Sequence, residues 1–413
     1  MHTSLKWRVV IGGFLAYMFD AVEISILAIS LPSIRATTGL TLFDGGLLAT
    51  TSWMGIGASG LVMGVIADTY GRRRALLVSL AVFGIATFAF AFSGASFPLM
   101  LLLRFVAGLG LGGVWAILAA YVAETWPSES RGKATLLVLS SYPVGAAAAA
   151  AVGGAILPNW HGVFMYCGAA ALIPLVYIGL FVPESPAWIA DRQTRRGAAP
   201  EPRKIHRPPP FLEIFRGELL RQTVFGTAAA TFALFAYIGL LTWLPSYLTS
   251  ERGLSLGQVS HYVIIFNAGV FASYFLFGFV ADAIGERSAL LVSLLGIAAM
   301  LLIYSMVTDA TVLLWISPLM GIFIVFAGLL GSYFSRVYPV HIRATGAGFC
   351  FNVGRGIASL SPLVTAGIAS TRGLSSALMA CSAIFLLSAL SVFCLPRKEK
   401  HPVIANASLE VRH

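Results

Sequence analysis

Charged side chains are scarce in this sequence. Asp, Glu, Lys and Arg together make up 11% of it, whereas hydrophobic residues make up 58%. A soluble domain carries about 25% charged residues, so the deficit excludes an ordinary soluble fold and points to a polytopic membrane protein. Cysteine is sparse as well. Cys167, Cys350, Cys381 and Cys394 lie in apolar stretches at no ligand-like spacing. They read as small hydrophobes, not as a disulfide or metal set. Also missing are a phosphate loop, a nucleotide-fold glycine set after a strand, and any metal-ligand spacing. No enzyme chemistry is therefore expected, and no cofactor or metal. The net charge of +10 would suit a nucleic-acid binder, but the basic residues form no single patch, and no nucleic-acid partner is expected. The first eight residues put basic side chains ahead of an apolar run. That run is too long for a signal peptide and has no clear cleavage site, so it is read as a first span.

What the chain does have is a series of uncharged apolar runs of about twenty residues, the length that crosses a bilayer as a helix. Two of them, 45–67 and 75–93, flank Gly64-Val65-Ile66-Ala67-Asp68-Thr69-Tyr70-Gly71-Arg72-Arg73-Arg74. The pair reads as a hairpin of two spans. Gly64 can let another helix approach closely, and Gly71 gives the tight loop its backbone freedom. The pattern recurs 214 residues on, where Gly278, Asp282 and Gly285 repeat the glycine, the aspartate and the second glycine. A second pair agrees: Trp126-Pro127 through Arg131-Gly132 is echoed by Tyr338-Pro339 through Arg343-Ala344, 212 residues on. Two pairs at nearly one offset indicate an internal duplication of about half the chain.

Twelve spans are expected: 9–32, 45–67, 75–93, 98–122, 135–157, 163–182, 223–248, 259–281, 289–307, 311–333, 344–368 and 374–395. Assigning the loops alternately puts 22 of the 27 basic residues on the side that holds both termini. The other side holds Arg35, Arg252 and Arg372, and Arg104 and Arg355 lie inside spans. Basic residues mark the cytoplasmic side, so both termini are expected in the cytoplasm. The division is residues 1–183 as one six-helix bundle, 184–221 as a cytoplasmic linker, 222–396 as a second bundle and 397–413 as a polar cytoplasmic tail. The linker, with Pro208-Pro209-Pro210, reads as mostly irregular with one surface helix near 211–220. Small-residue faces, with Gly108 and Gly112 beside Trp115 and the run from Gly145 to Gly154, allow close packing and rocking between helices.

The Gly64–Arg74 stretch resembles the signature loop between the second and third helices of major facilitator superfamily transporters. Three further stretches agree with it: Arg104-x-x-x-Gly108-x-Gly110-x-Gly112-Gly113, Glu124-x-x-Pro127-x-x-x-Arg131-Gly132 and Pro183-Glu184-Ser185-Pro186. The last two resemble the sugar-porter, organic-ion and aromatic-acid:proton symporter branches. The second-half loop departs from the pattern, with Glu286 and Ser288 where basic residues often stand. The resemblance implies that Asp68, Glu124 and Arg131 form a charge cluster that latches the outward-open state. Gly64, Gly71, Arg72, Asp282 and Arg343 are expected to belong to the same latching loops. Plain solvated loop charge is the alternative.

Four charges fall inside spans, where each costs roughly 2.5–3.5 kcal/mol or more and should face protein or a cavity. Asp20 and Glu23 lie three apart on one face of the first span. Two like charges in a low dielectric make one of them a candidate proton carrier. Asp20-x-x-Glu23 also resembles the Asp-x-x-Asp of the first helix in aromatic-acid:proton symporters. Arg104 is grouped with them for proton coupling; the alternative is a fixed ion pair, for example Asp20 with Arg104. Arg355 stays protonated and can clamp a carboxylate with two parallel bonds. That symporter branch, by resemblance, carries an arginine near its cavity there. The alternative is that Arg355 pairs with Asp20 or Glu23. Asn352, Asn267, Tyr17, Trp115, Tyr142, Tyr237 and Tyr274 are candidate pocket residues, as are Trp53 and Trp243, against the alternative that they are packing or interface anchors.

The resulting expectation is an all-α integral membrane protein, twelve transmembrane helices in two pseudo-symmetric six-helix bundles, monomeric, in the inner membrane. It is read as a secondary transporter whose partners are a small-molecule solute, a proton and the bilayer. The leading solute is a small organic anion such as an aromatic or other monocarboxylate, imported with a proton. The alternatives are a sugar-like or neutral solute, or drug:proton antiport.

Overall fold

A computed structural model describes residues 2–127, 130–197, 210–339 and 342–395. The tail expected at 397–413 and the proline run's first two residues lie outside the described residues. Eleven helices are long and apolar enough to cross a membrane. They are α1 (Leu5–Thr38), α2 (Leu42–Tyr70), α3 (Arg72–Phe90), α4 (Phe97–Thr125), α5 (Arg131–Ile156), α6 (Trp160–Phe181), α7 (Gly217–Ser250), α8 (Leu256–Ile284), α9 (Glu286–Met306), α10 (Ala310–Phe334) and α12 (Leu374–Phe393). The twelfth, α11, is built of two shorter pieces, Arg343–Ala358 and Ser361–Arg372. Pro362 near the start of the second piece suits a first helical turn and cannot continue the first one's hydrogen bonds. Large apolar side chains such as Ile85, Leu180, Phe279 and Trp315 point outward from the bundle, as lipid-facing residues do.

The duplication extends beyond the loops. α2 starts on a capping box in which Thr41 and Asp44 each satisfy the other's backbone N–H, and α8 starts on the same box made by Ser255 and Gln258. Both boxes sit at the 214-residue offset. The turns at Gly71 and Gly285 have φ of 109° and 83°, a region that L side chains rarely adopt, so both repeats need glycine there. Gly64 has nothing near a would-be Cβ within 4 Å, so it makes no close helix contact in this conformation.

The linker differs from expectation. Residues Pro186–Gly197 are helical, Pro210–Glu213 forms one turn, and α7 begins at Gly217, five residues ahead of the expected bundle boundary. Gly217 has a positive φ of 54° and starts the helix after Arg216.

Where the two halves meet is decided by small residues. At Gly46 a Cβ would lie 2.6 Å from Ala366 Cβ and 2.7 Å from Pro362 O, so α2 and α11 touch backbone to backbone there. Leu363 N donates to Thr50 Oγ1 across the same contact at 3.1 Å. Gly154 of α5 sits equally close to Ser260 of α8. All these residues belong to the end away from the arginine loop. One buried apolar cluster runs from Val22–Ile34 of α1 into the second half at that end. At the arginine-loop end, Val9, Ala67, Leu76 and Val122 belong to a separate first-half cluster. The halves are thus joined at the far end and part toward the basic end.

Candidate functional site

The groove between the halves holds two chambers stacked along α1. The basic-side chamber, of about 160 Å³, is lined by Tyr17 and Asp20 of α1, Trp115 of α4, Tyr142 of α5, Tyr237 of α7, Tyr274 of α8 and Arg355 of α11. The far-side chamber, of about 60 Å³, is lined by Glu23, Ser52, Arg104, Thr242 and Asn267 among mostly apolar residues. Trp53, Tyr142 and Tyr237 line both and form the layer between them.

α1 therefore presents its two acids to different chambers. Asp20 is 6% exposed, and its Oδ1 is buried without a hydrogen-bond partner. Arg355 faces it from the other half. Neither has an ion pair within 4.0 Å among the described residues. Among the described residues the Arg355 guanidinium has no hydrogen-bond or ion-pair partner, and a guanidinium can in general hold a carboxylate through two parallel bonds.

Arg104 pairs with Glu23 and not with Asp20. Its Nη1 donates to Glu23 Oε1 at 2.9 Å and its Nη2 to Thr87 Oγ1 at 3.2 Å. Thr87 Oγ1 in turn donates to Glu23. The guanidinium lies over the rings of Phe90 and Phe164, 4.4 and 5.0 Å from their centres, a favourable cation–π arrangement. Thr87 was not legible as a partner, because a threonine in an apolar run carries no signal by itself.

Aromatic rings make the walls. Tyr17 lies 5.3 Å from Trp115 and 5.4 Å from Tyr142, centre to centre. Asn267 lines the far-side chamber and donates from Nδ2 to Val263 O of its own helix. Asn352 is exposed and lines neither chamber. Trp243 is fully buried, its Nε1 donating to Pro362 O at 3.1 Å, so it packs α7 on α11 and does not face the groove.

A second polar cluster sits at the basic end. Arg72 joins Asp68 at 2.8 Å to Glu124 at 2.9 Å. Among the described residues it, and not Arg131, is the cation of this cluster; Arg131 is exposed and there donates to Trp126 O at 3.4 Å. The start of the linker is wired into the same loop. Ser185 Oγ donates to Glu124 Oε2 at 2.5 Å, Trp188 Nε1 donates to Asp68 O at 2.8 Å, and Arg73 N donates to Glu184 Oε1 at 3.1 Å. In the second half Asp282 is exposed, Arg343 donates to Tyr338 O at 3.4 Å, and Glu286 accepts from Ser332. Glu184, Ser185 and Trp188 were missed as cluster members, although the Pro183-Glu184-Ser185-Pro186 stretch marked the place.

Comparison with known proteins agrees with this architecture. Residues 13–362 match the family model described as Major Facilitator Superfamily. The cis,cis-muconate transport protein of Acinetobacter baylyi is 27% identical, with 97% of each chain covered. The 3-(3-hydroxy-phenyl)propionate transporter of Escherichia coli is 28% identical, with 92% of each covered. Among solved structures, a D-xylose-proton symporter superposes with a TM-score of 0.76 at 17% identity, covering 94% of this chain and 97% of that one. With a family model spanning most of its length and twelve helices in two repeated halves around a central groove, the chain belongs to the Major Facilitator Superfamily and is a multi-pass membrane transporter.

Proposed function

We propose that this transporter is a proton-coupled symporter that imports a small organic anion, an aromatic or other monocarboxylate, by alternating access. The basic end is the cytoplasmic one, both termini lie there, and the chain works as a monomer in the inner membrane. The observation that carries the reading is the pairing of an uncommitted Arg355 with a buried Asp20 across one aromatic-walled chamber.

The coupling follows from charge. With no solute and Asp20 ionised, the chamber holds one cation and one anion. With a carboxylate on Arg355 and a proton on Asp20, it is again neutral. Either partner alone leaves a net charge in a low-dielectric groove. At an effective dielectric of 20 and 4 Å, a single charge interaction is worth about 4 kcal/mol, enough to disfavour the half-loaded states. Only the empty and fully loaded carriers cross readily, which is symport. Tyr17, Trp115, Tyr142, Tyr237 and Tyr274 supply ring faces for the solute body. Asn267 lies on the route toward the far side, and Asn352 would have to turn inward to take part.

The Arg72 cluster is read as the latch. Asp68, Arg72 and Glu124 hold the α2–α3 loop to α4, and the linker braces it through Ser185 and Trp188. The substrates of the two relatives, muconate and hydroxyphenylpropionate, are carboxylates and favour the anion reading. The test is binding to the purified protein: aromatic monocarboxylates should raise its melting temperature and sugars should not. A shift with sugars alone would replace the anion by a neutral solute.

A further inference from the structure

We propose that Thr87 is a positioning residue which, with Arg104, holds Glu23 as a permanent carboxylate and so leaves Asp20 as the single carrier of the transported proton. This rests on the proton-coupled reading above and decides between the two acids of α1.

The geometry of the triad carries it. Glu23 Oε1 receives two donors, Arg104 Nη1 at 2.9 Å and the Thr87 hydroxyl, while Thr87 Oγ1 accepts from Arg104 Nη2 at 3.2 Å. Three helices, α1, α3 and α4, each give one member of this closed ring. Glu23 is 3% and Arg104 2% exposed. A proton on Glu23 would compete with both donors and strand the Arg104 charge between Phe90 and Phe164. Breaking a buried, hydrogen-bonded pair from one side is strongly unfavourable. Thr87 is essential to this because it fills the acceptor that Arg104 alone does not saturate, and it fixes the hydroxyl proton toward Glu23.

Asp20 stands in contrast. Its Oδ1 has no donor, and it lines the other chamber. The groups facing Glu23 are Arg104 of α4, Thr87 of α3, Cys167 of α6 and Asp20 one turn away. Those facing Asp20 are Arg355 of α11, Tyr17 of its own helix, Tyr142 of α5, Tyr237 of α7, Tyr274 of α8 and Glu23. In each cycle the proton passes from water on the far side to the Asp20 carboxylate and leaves from it to water on the basic side. Glu23 gains and loses nothing.

Transport should then be one proton per monocarboxylate and carry no net charge. The experiment measures proton and benzoate fluxes together in proteoliposomes, with and without a potassium/valinomycin potential. Wild type should show a ratio of one and no response to the potential. Thr87→Val should push the ratio above one and make uptake faster with the interior negative, because Glu23 now takes a proton too; Thr87→Ser should restore the wild-type ratio. A double variant, Glu23→Gln with Arg104→Gln, removes both charges together and should keep a ratio of one. The inference is overturned if Thr87→Val keeps a ratio of one with no response to potential, or if the double variant loses proton movement. If wild type binds benzoate but moves no protons with it, the symport reading itself fails instead.

Discussion

Asp20 and Arg355 face one chamber from opposite halves of the molecule without touching. Glu23 and Arg104, only a turn further along, are locked together at 2.9 Å. The membrane thus holds two acid–base pairs of opposite character. One is closed within the first half, its two acid–base partners in direct contact. The other is open, shared between the halves, and available to a solute and a proton.

Arg355→Lys keeps the charge and loses the two-pronged geometry. Solute binding should weaken about tenfold, roughly 1.4 kcal/mol, while the coupling of uptake to the proton gradient persists. Isothermal titration on purified protein and gradient-driven uptake in liposomes check the two halves of this statement. Unchanged affinity would remove Arg355 from the binding site.

Asp68→Asn weakens the bond to Arg72 and leaves the chamber untouched. The variant should bind solute normally and translocate it several-fold more slowly. Ser185→Ala should act in the same direction through Glu124. Wild-type rates in both would make the cluster an ordinary loop contact.

Gly46→Val should prop α2 away from Pro362 and Ala366. Overpacking of this kind costs about 1–3 kcal/mol, and here the cost falls only on the state closed at the far end. The population should shift toward a far-side-open form. A single cysteine placed at Thr50 should then react faster with a membrane-impermeant thiol reagent added from outside. No change in labelling would place the closure elsewhere.

Sidedness can be read directly. Reporter fusions in the linker after Arg192 and in the Thr308–Asp309 loop should report opposite faces, with the linker cytoplasmic. The same face for both would overturn the orientation drawn from the basic residues.

Much of this was legible in the sequence, for a physical reason: a bilayer imposes length and apolarity on every span, and glycine turns have no substitute at positive φ. The spans, the two halves and the Gly71 and Gly285 turns follow from those constraints. The capping boxes at Thr41 and Ser255, 214 residues apart, are a further repeat that the structure brought out. Pair identities were not legible. Helical periodicity puts Asp20 and Glu23 on one face, yet 4.5 Å of rise over three residues is enough to place them in different chambers. Arg104 could have met either acid, and Thr87 decides it by a hydroxyl hidden in an apolar run. Trp243 and Asn352 looked alike as pocket candidates; packing against α11 removes the first, and exposure away from both chambers sets the second apart.

The central claim is that Asp20 carries the proton that drives accumulation. It is tested most directly by purified wild type and Asp20→Asn in liposomes loaded with an aromatic monocarboxylate, with a proton gradient imposed and then collapsed. Wild type should concentrate external solute while the gradient lasts and release it afterwards. Asp20→Asn should still exchange internal for external solute, because exchange need not release the proton, but should never accumulate it. Accumulation against a gradient by Asp20→Asn would contradict the account.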